Sequence, residues 1–322
     1  MCERMADQNG SSGDDLEHSI SAEGLSKSFH GFQAVDGVSF QVRKGEFFGI
    51  LGPNGAGKTT TIRMLTGVLK PDQGRILIDG IDLRRDALAA KQRMGVIPEV
   101  GTVYTDLSAR ENLELFGMYY GLSKPVRQER ATQMLKDLEL HDRADDLVKT
   151  FSKGMKQRIS IGCAMVHDPS VLFLDEPTEG LDVQSRKLIL DRVRAMNAAG
   201  CTVVITTHNI EEASRLCQRV CIINKGQVVT VDSPEHLKST FEQTRSVEVA
   251  FEGQVSCRDL PTSCMLRVEE SGDKMRIFTS DPDRTIEEIM RLRDERGLRI
   301  LSLSTLGPSL EDVFLKLTEA KR

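Results

Sequence analysis

The sequence predicts an α/β fold, a mainly parallel sheet with helices on both faces, followed by a smaller α+β module. Three observations lead there. Short apolar strand-like runs alternate with helix-like periodicity from about residue 20 to residue 239. A glycine-rich loop, Gly52-Pro53-Asn54-Gly55-Ala56-Gly57-Lys58-Thr59-Thr60, lies between one such strand and one such helix, as its G-x-x-x-x-G-K-T spacing demands. The apolar run Val171-Leu172-Phe173-Leu174 ends on two carboxylates, Asp175 and Glu176.

The elements follow in order. Met1 to about Glu17 is polar and rich in Gly, Ser and Asp, so residues 1–19 read as a disordered tail. Ser21 to Arg43 alternates as strands around a turn, and Glu46 to Leu51 reads as a buried strand. A helix is predicted from Thr60 to about Leu69, a strand over Arg75–Gly80, and a short strand over Arg93–Glu99 that ends in an extended loop. Ser108 and Glu111 have the spacing of a capping box, and helices fill most of the interval to Lys149. Phe151-Ser152-Lys153-Gly154-Met155 is a loop entering an amphipathic helix. After Asp175 come a helix over Val183–Ala198, a strand over Thr202–Thr206, a helix over Ile210–Leu216, and strands Val220–Ile223 and Gln227–Thr230. A composition shift over Glu235–Thr244 divides a first domain, 20–239, from a second, 240–322. The second reads as strands Ser246–Phe251, Met265–Glu269, Met275–Thr279 and Arg299–Ser304, with helices Thr285–Arg296 and Pro308–Leu317. It holds no constellation of catalytic side chains.

A length of 322 residues suggests about two domains, and 39% apolar residues suffice for an α/β core. A net charge of −5 with mixed signs and only 5% aromatics gives no basic–aromatic ladder, so no nucleic-acid partner is expected. The seven cysteines, Cys2, Cys163, Cys201, Cys217, Cys221, Cys257 and Cys264, form no C-x-x-C pair and read as buried free thiols in a reducing cytosol. Cys217 and Cys221 are expected on one face of a helix end. No apolar run reaches the ~18 residues that span a bilayer, and the N-terminus lacks a basic-then-apolar signal pattern. The expectation is a soluble intracellular chain.

The residue types carry phosphate chemistry. The glycines let backbone N–H groups turn inward around phosphate oxygens, Lys58 supplies a point charge at the outer phosphates, and Thr59 offers a hydroxyl to Mg²⁺. Paired carboxylates at a strand end suit metal-assisted phosphate chemistry. Ser152 and Gly154, just ahead of a helix N-terminus, form a second anion-recognising surface.

These motifs, in this order, resemble one family over roughly Ile20 to Ser239: the ATP-binding subunits of ABC transporters. Gly52 to Thr60 resembles the Walker A loop. Leu172 to Asp175 resembles Walker B, with Glu176 in the place of the catalytic glutamate. Phe151 to Met155 is similar to the family signature, Glu179-Gly180-Leu181-Asp182 to the D-loop, and Thr207-His208 to the switch histidine. Phe29 occupies the position of the aromatic that stacks on adenine, although Phe32 or simple core packing remains an alternative. The resemblance implies a P-loop NTPase ABC ATP-binding domain, with a mainly parallel sheet, a helical subdomain and an antiparallel β part, plus the small C-terminal α+β domain. It implies Mg²⁺-dependent ATP hydrolysis. Asp175, Thr59 and Glu99 would face the metal, Glu176 would polarise water, and His208 would hold the γ-phosphate. Ser152 and Gly154 would act in trans on the ATP of a second ATP-binding subunit, identical or related, and Asp182 would lie at the nucleotide.

Three positions, two in the signature and one at the end of the Arg93–Glu99 strand, depart from the family pattern. Lys153 and Met155 stand where Gly and Gln are usual. Glu99 stands for the usual Gln, which is expected to make the site more Mg²⁺-dependent and modestly slower. Gly307-Pro308-Ser309-Leu310-Glu311-Asp312-Val313-Phe314 resembles the C-terminal extension of daunorubicin-resistance-like export ATPases. That subtype implies export of a small amphipathic molecule through separate transmembrane permease subunits, at the inner face of the cell membrane. The alternatives are a soluble ABC-type ATPase acting on ribosomes or DNA, and a binding-only regulator. A single cassette of this length argues against the first, and the intact Lys58, Asp175, Glu176 and His208 against the second.

Overall fold

A computed structural model describes residues 17–98, 103–240, 246–253, 255, 260, 265–307 and 310–319. The chain divides into two compact units, Met1–Val231 and Asp232–Arg322. The first unit runs β1 (His18–Phe29), β2 (Phe32–Arg43), β3 (Phe47–Leu51), α1 (Lys58–Leu65), β4 (Gln73–Ile78), β5 (Ile81–Asp82), α2 (Ala87–Gln92), β6 (Met94–Ile97), α3 (Ala109–Tyr119), α4 (Lys124–Asp137), α5 (Lys153–Met165), β7 (Val171–Asp175), α6 (Val183–Ala198), β8 (Thr202–Thr207), α7 (Ile210–Leu216), β9 (Arg219–Asn224) and β10 (Gln227–Asp232).

Two sheets organise it. One is antiparallel in the order β2-β1-β4-β5; the other has the order β10-β9-β3-β8-β7-β6, with its five strands from β9 to β6 parallel. Strands β3, β7 and β8 are buried at every position, which is why they read as continuous apolar runs rather than as alternation. The β1–β2 turn is made by His30 and Gly31 at φ +47° and +86°, the double left-handed step that suits a two-residue hairpin. Phe48, Ile50, Phe173 and Val204 of the large sheet share a core with Ile20, Leu25 and Val38 of the antiparallel sheet and Met64 and Leu65 of α1. Helices α3, α4 and α5 pack on one another as a helical layer. The capping box at α3 forms as the sequence suggests: Ser108 Oγ accepts from Glu111 N at 3.2 Å and Glu111 Oε2 accepts from Ser108 N at 2.7 Å.

The parallel register positions the site. Leu51 of β3 lies beside Thr207 of β8, and Asp175 of β7 beside Thr206. The loops after these three strands therefore emerge together at the carboxyl edge of the sheet, where open α/β sheets bind ligands.

The second unit contains α8 (Pro234–Thr240), β11 (Ser246–Glu252), β12 (Met265–Ser271), β13 (Lys274–Thr279), α9 (Pro282–Arg296), β14 (Arg299–Leu306) and α10 (Leu310–Glu319). Its sheet is antiparallel in the order β12-β13-β11-β14. Ile289 and Leu292 of α9 pack against Val247, Val249, Phe251 and Ile277.

Some expectations needed correction. Helix α1 ends at Leu65, not near Leu69, because Gly67 turns the chain at φ +65°. Helices α2 and α8 were not foreseen; both are short, and α2 is set by an Asp86 side chain accepting from Ala89 N. Cys217 and Cys221 do not share a helix face: Cys217 caps α7 and Cys221 lies within β9. Cys163, Cys201, Cys217 and Cys221 are buried free thiols, with burial pushing Cys201 and Cys221 up to about 12. Cys2, Cys257 and Cys264 fall outside the described residues. Among the described residues no helix is long and apolar enough to cross a membrane.

Candidate functional site

An open cleft of about 790 Å³ lies over the loop after β3, lined by Asn54, Gly55, Ala56, Gly57, Lys58, Thr59 and Thr60, by Phe29, Phe32 and Ala34 of the hairpin, and by Glu176, Glu179 and His208. The loop is shaped by close backbone approach. A Cβ on Gly52 would clash with the Ile223 carbonyl, and one on Gly57, at φ +104°, would come within 2.6 Å of the Ala34 carbonyl. Pro53 closes the loop by accepting from Ala56 N at 3.1 Å, and Gly226 N donates to Ala56 O at 3.0 Å. The first turn of α1 has no side-chain cap, so its amides remain for an anion. Lys58 is buried. Its Nζ donates to the carbonyls of Gly52 at 2.8 Å and Pro53 at 3.2 Å, and lies 4.0 Å from Glu176 Oε1.

The carboxylates stand opposite. Asp175 is 3% exposed, and its Oδ1 accepts from Thr206 Oγ1 at 2.6 Å and Thr59 Oγ1 at 3.4 Å. Glu176 leaves the strand in the left-handed region at φ +48°, with its N–H held by the carbonyl and hydroxyl of Thr206 at 3.2 and 3.1 Å. Its Oε2 meets His208 twice, at the backbone N at 3.3 Å and at Nδ1 at 2.9 Å. An ionised Glu176 can only accept, which puts the imidazole proton on Nδ1. Among the described residues no cluster of three or more His, Cys, Asp or Glu could hold a metal ion by itself. One buried carboxylate beside one hydroxyl suits a hard cation that brings its other ligands with it, as Mg²⁺ does with phosphate.

Ser152, Gly154 and Asp182 are not among the residues lining this cleft. Ser152 caps α5 by accepting from Met155 N at 3.3 Å, which leaves its hydroxyl proton to donate elsewhere. Gly154 is buried, and a Cβ there would sit 2.5 Å from Ser185 Oγ. Asp182 caps α6, taking Ser185 N at 2.8 Å and Ser185 Oγ at 2.9 Å, and the Ser185 backbone N–H holds its carboxyl below the usual range. The Lys153 ammonium rests on Gly180, and Gln157 Nε2 donates to Pro177 O at 3.1 Å. Ser152 and Asp182 thus lie on one connected surface, separate from the cleft lining.

Comparison with known proteins decides the family. The sequence profile described as "ABC transporter" matches residues 35–179. The chain is 38% identical to the Nod factor export ATP-binding protein I of Ralstonia nicotianae, over 93% of each chain. It is 36% identical to the linearmycin resistance ATP-binding protein of Bacillus subtilis, over 93% of this chain and 98% of that one. The chain belongs to the ABC transporter ATP-binding proteins. Among solved structures it resembles an ATP-binding subunit of an ABC transporter, with TM-score 0.65 and 32% identity over 69% of this chain and 92% of that one. It also resembles a dimeric ATP-binding cassette in a post-hydrolysis state with ADP and Pi, with TM-score 0.62 and 27% identity over 66% and 98%.

As an ABC transporter ATPase subunit the protein binds and hydrolyses ATP, and cassettes of this family dimerise and work with membrane components. Phe29 and Phe32 both line the cleft and are 41% and 66% exposed, so neither is a core residue. Glu99 lies outside the described residues, as do Pro308 and Ser309. Sequence reasoning missed Thr206, a buried hydroxyl that serves both Asp175 and Glu176. A Thr directly after the apolar run Val203-Val204-Ile205 and one residue before the Thr207-His208 pair was the available signal. It also missed Ser185, which ties Asp182 to Gly154, and Glu212, four residues past His208.

Proposed function

We propose that this chain is the energy-coupling ATPase of an exporter, that its cleft holds Mg²⁺ATP, and that Ser152 and Gly154, at the N-terminus of α5, complete the cleft of a second ATP-binding subunit. The observation that carries the reading is the meeting of Lys58, Asp175, Glu176 and His208 at one edge of the sheet. The loop amides and the uncapped α1 terminus take the phosphates, and Lys58 exchanges its two carbonyl partners for phosphate oxygens. Phe29 gives the adenine an exposed ring face, with Phe32 beside it. Thr59 and Asp175 hold the Mg²⁺, which neutralises charge on the phosphates. Glu176 accepts the proton of the attacking water, and His208 orients Glu176 and the γ-phosphate. Such positioning and electrostatics carry most of phosphoryl transfer.

Ser152 and Gly154 are outside this chain's own cleft lining, which supports their acting on the nucleotide of a partner, with Asp182 in the same contact. The exposed aromatic cluster of Tyr104, Phe116 and Tyr119, with ring centroids 6.4 and 6.0 Å apart, supports docking onto a transmembrane permease. Through that contact the chain sits at the inner face of the cell membrane. The two relatives' names, Nod factor export and linearmycin resistance, support export as the direction of transport. The C-terminal unit, 240–322 in the sequence reading, supports the dimer or regulates it.

The experiment is affinity purification of the chain co-expressed with the membrane protein encoded beside it. A stable complex whose Mg²⁺-dependent phosphate release disappears in Lys58→Ala supports the reading. A chain that never associates with a polytopic protein, or hydrolyses equally well without Lys58, contradicts it.

A further inference from the structure

Glu212 takes no part in the reaction as described, yet it is a buried carboxylate next to the turn after Glu176 and the loop that carries His208. It lies on α7 and is 8% exposed. Its Oε2 accepts from Thr178 Oγ1 at 3.1 Å and from Thr207 Oγ1 at 3.4 Å. Thr178 is two residues past Glu176, and Thr207 immediately precedes His208. Asn209 N donates to Thr207 Oγ1 at 2.9 Å, which directs that hydroxyl's own proton to Glu212. Asn209 Oδ1 accepts from Glu212 N at 2.9 Å, closing the loop onto the helix that carries the carboxyl. The other oxygen, Oε1, is buried with no hydrogen-bond partner among the described residues. Burial pushes this carboxyl up, against the pull of Thr178, Arg186 and Thr207. A half-satisfied buried carboxyl costs stability, and nothing about packing α7 onto β3 and β8 calls for one.

We propose that Glu212 is a positioning residue: by holding Thr178 and Thr207 on one oxygen it locks the Glu176 turn to the His208 loop and fixes the contact between that pair. The proposal rests on the reading of Glu176 and His208 as the hydrolytic pair. The lock is made by an acceptor, not by a net charge, so an uncharged isostere can serve. The two loops follow separate strands, β7 and β8, whose backbones are already in register. Thr206 Oγ1 and Gln157 Nε2 hold the backbone of the turn at Glu176 and Pro177, and Thr178 adds the grip that links this turn, through Glu212, to the His208 loop.

The test is steady-state ATPase kinetics of the intact chain carrying Glu212→Ala, Glu212→Gln, Thr178→Val and Thr207→Val, each with a melting curve, and of Glu212→Ala combined with His208→Ala. The expected result is a kcat for Glu212→Ala lower by about ten-fold with the ATP KM within about two-fold, the pattern of an interaction used in the transition state. Glu212→Gln keeps most of the rate. The two valine variants, which keep the side-chain shape and remove only a hydroxyl donor to Glu212, each lower kcat with KM unchanged, which carries the test if the alanine variant fails to fold. In the His208→Ala background the added Glu212→Ala change has almost no further effect, because coupled residues are not additive. A wild-type kcat in both Glu212→Ala and Thr178→Val, or a full additional loss in the His208→Ala background, overturns the proposal alone. A wild-type rate in His208→Ala itself overturns the reading of the pair and the proposal with it.

Discussion

Single residues in this protein are held in conformations that their chemistry needs and their sequence does not announce. Glu176 adopts a left-handed backbone at φ +48°, a cost of roughly 1 kcal/mol or more for a residue with a Cβ. Two bonds from Thr206 hold it there. His167 is a second case. Its ring stacks on Tyr120 with centroids 3.4 Å apart and an interplanar angle of 1°. Its Nε2 meets the Met94 carbonyl at 3.1 Å, and since a carbonyl can only accept, the neutral ring carries its proton there. Burial depresses this imidazole to about 4 from an ordinary 6.5, with Arg130 adding to the depression against Met94 and Asp168. The folded pKa is thus below the unfolded one. Between these two values the unfolded chain binds the extra proton, so stability is present above pH 6.5 and is lost as pH falls towards 4. The loss attributable to His167 is about 3 kcal/mol. His167→Gln keeps a donor for Met94 and removes the titration. Chemical denaturation of the variant should therefore show a shallower fall across that window than the wild type, and an unchanged pH profile would refute the assignment. The residue types at the cleft were legible from motif spacing; Thr206, Glu212 and His167 were not, because their roles come from contacts with other elements of the fold: Thr206 with Asp175 and Glu176, Glu212 with Thr178, and His167 with Tyr120 and Met94.

At the level of elements, local rules were sufficient wherever an element carried its own signal. Helix α6 begins on the Asp182 cap, α7 on the Asn209 cap, and α9 on Asp281 with Gly297 at its end in the left-handed region, φ +64°. Helix α3 has the fullest signal, the reciprocal Ser108–Glu111 box, and Ser108 is 6% exposed. Ser108→Ala should lower the stability of the first unit by about 1 kcal/mol, read as a shift of the urea midpoint. Since Ser108 is on the helical layer and not at the cleft, the ATP KM should not move. A midpoint equal to wild type would mean that the cap is not used. Where elements were misjudged, the signal was weak or shared. α2 and α8 are helices of six and seven residues, too short to show a helical period, and the end of α1 was obscured by apolar Val68 and Leu69 continuing the pattern beyond Gly67.

For the whole molecule, the fold does one main thing: it brings three strand ends of the parallel sheet into register, so that residues 52–60, 175–176 and 207–208 meet at one edge. That convergence could be anticipated from the order of motifs but not from any one of them. A separate role for Ser152, Gly154 and Asp182 is implied by resemblance alone; the three lie outside the cleft lining, and Ser185 Oγ donates to Asp182 and packs against Gly154. If this convergence makes Glu176 the base for hydrolysis, Glu176→Gln separates nucleotide binding from the chemical step. The variant should bind Mg²⁺ATP with wild-type Kd and release phosphate at least about 10²-fold more slowly, the usual scale for a positioned general base. A Glu176→Gln protein that hydrolyses ATP at the wild-type rate would contradict the account.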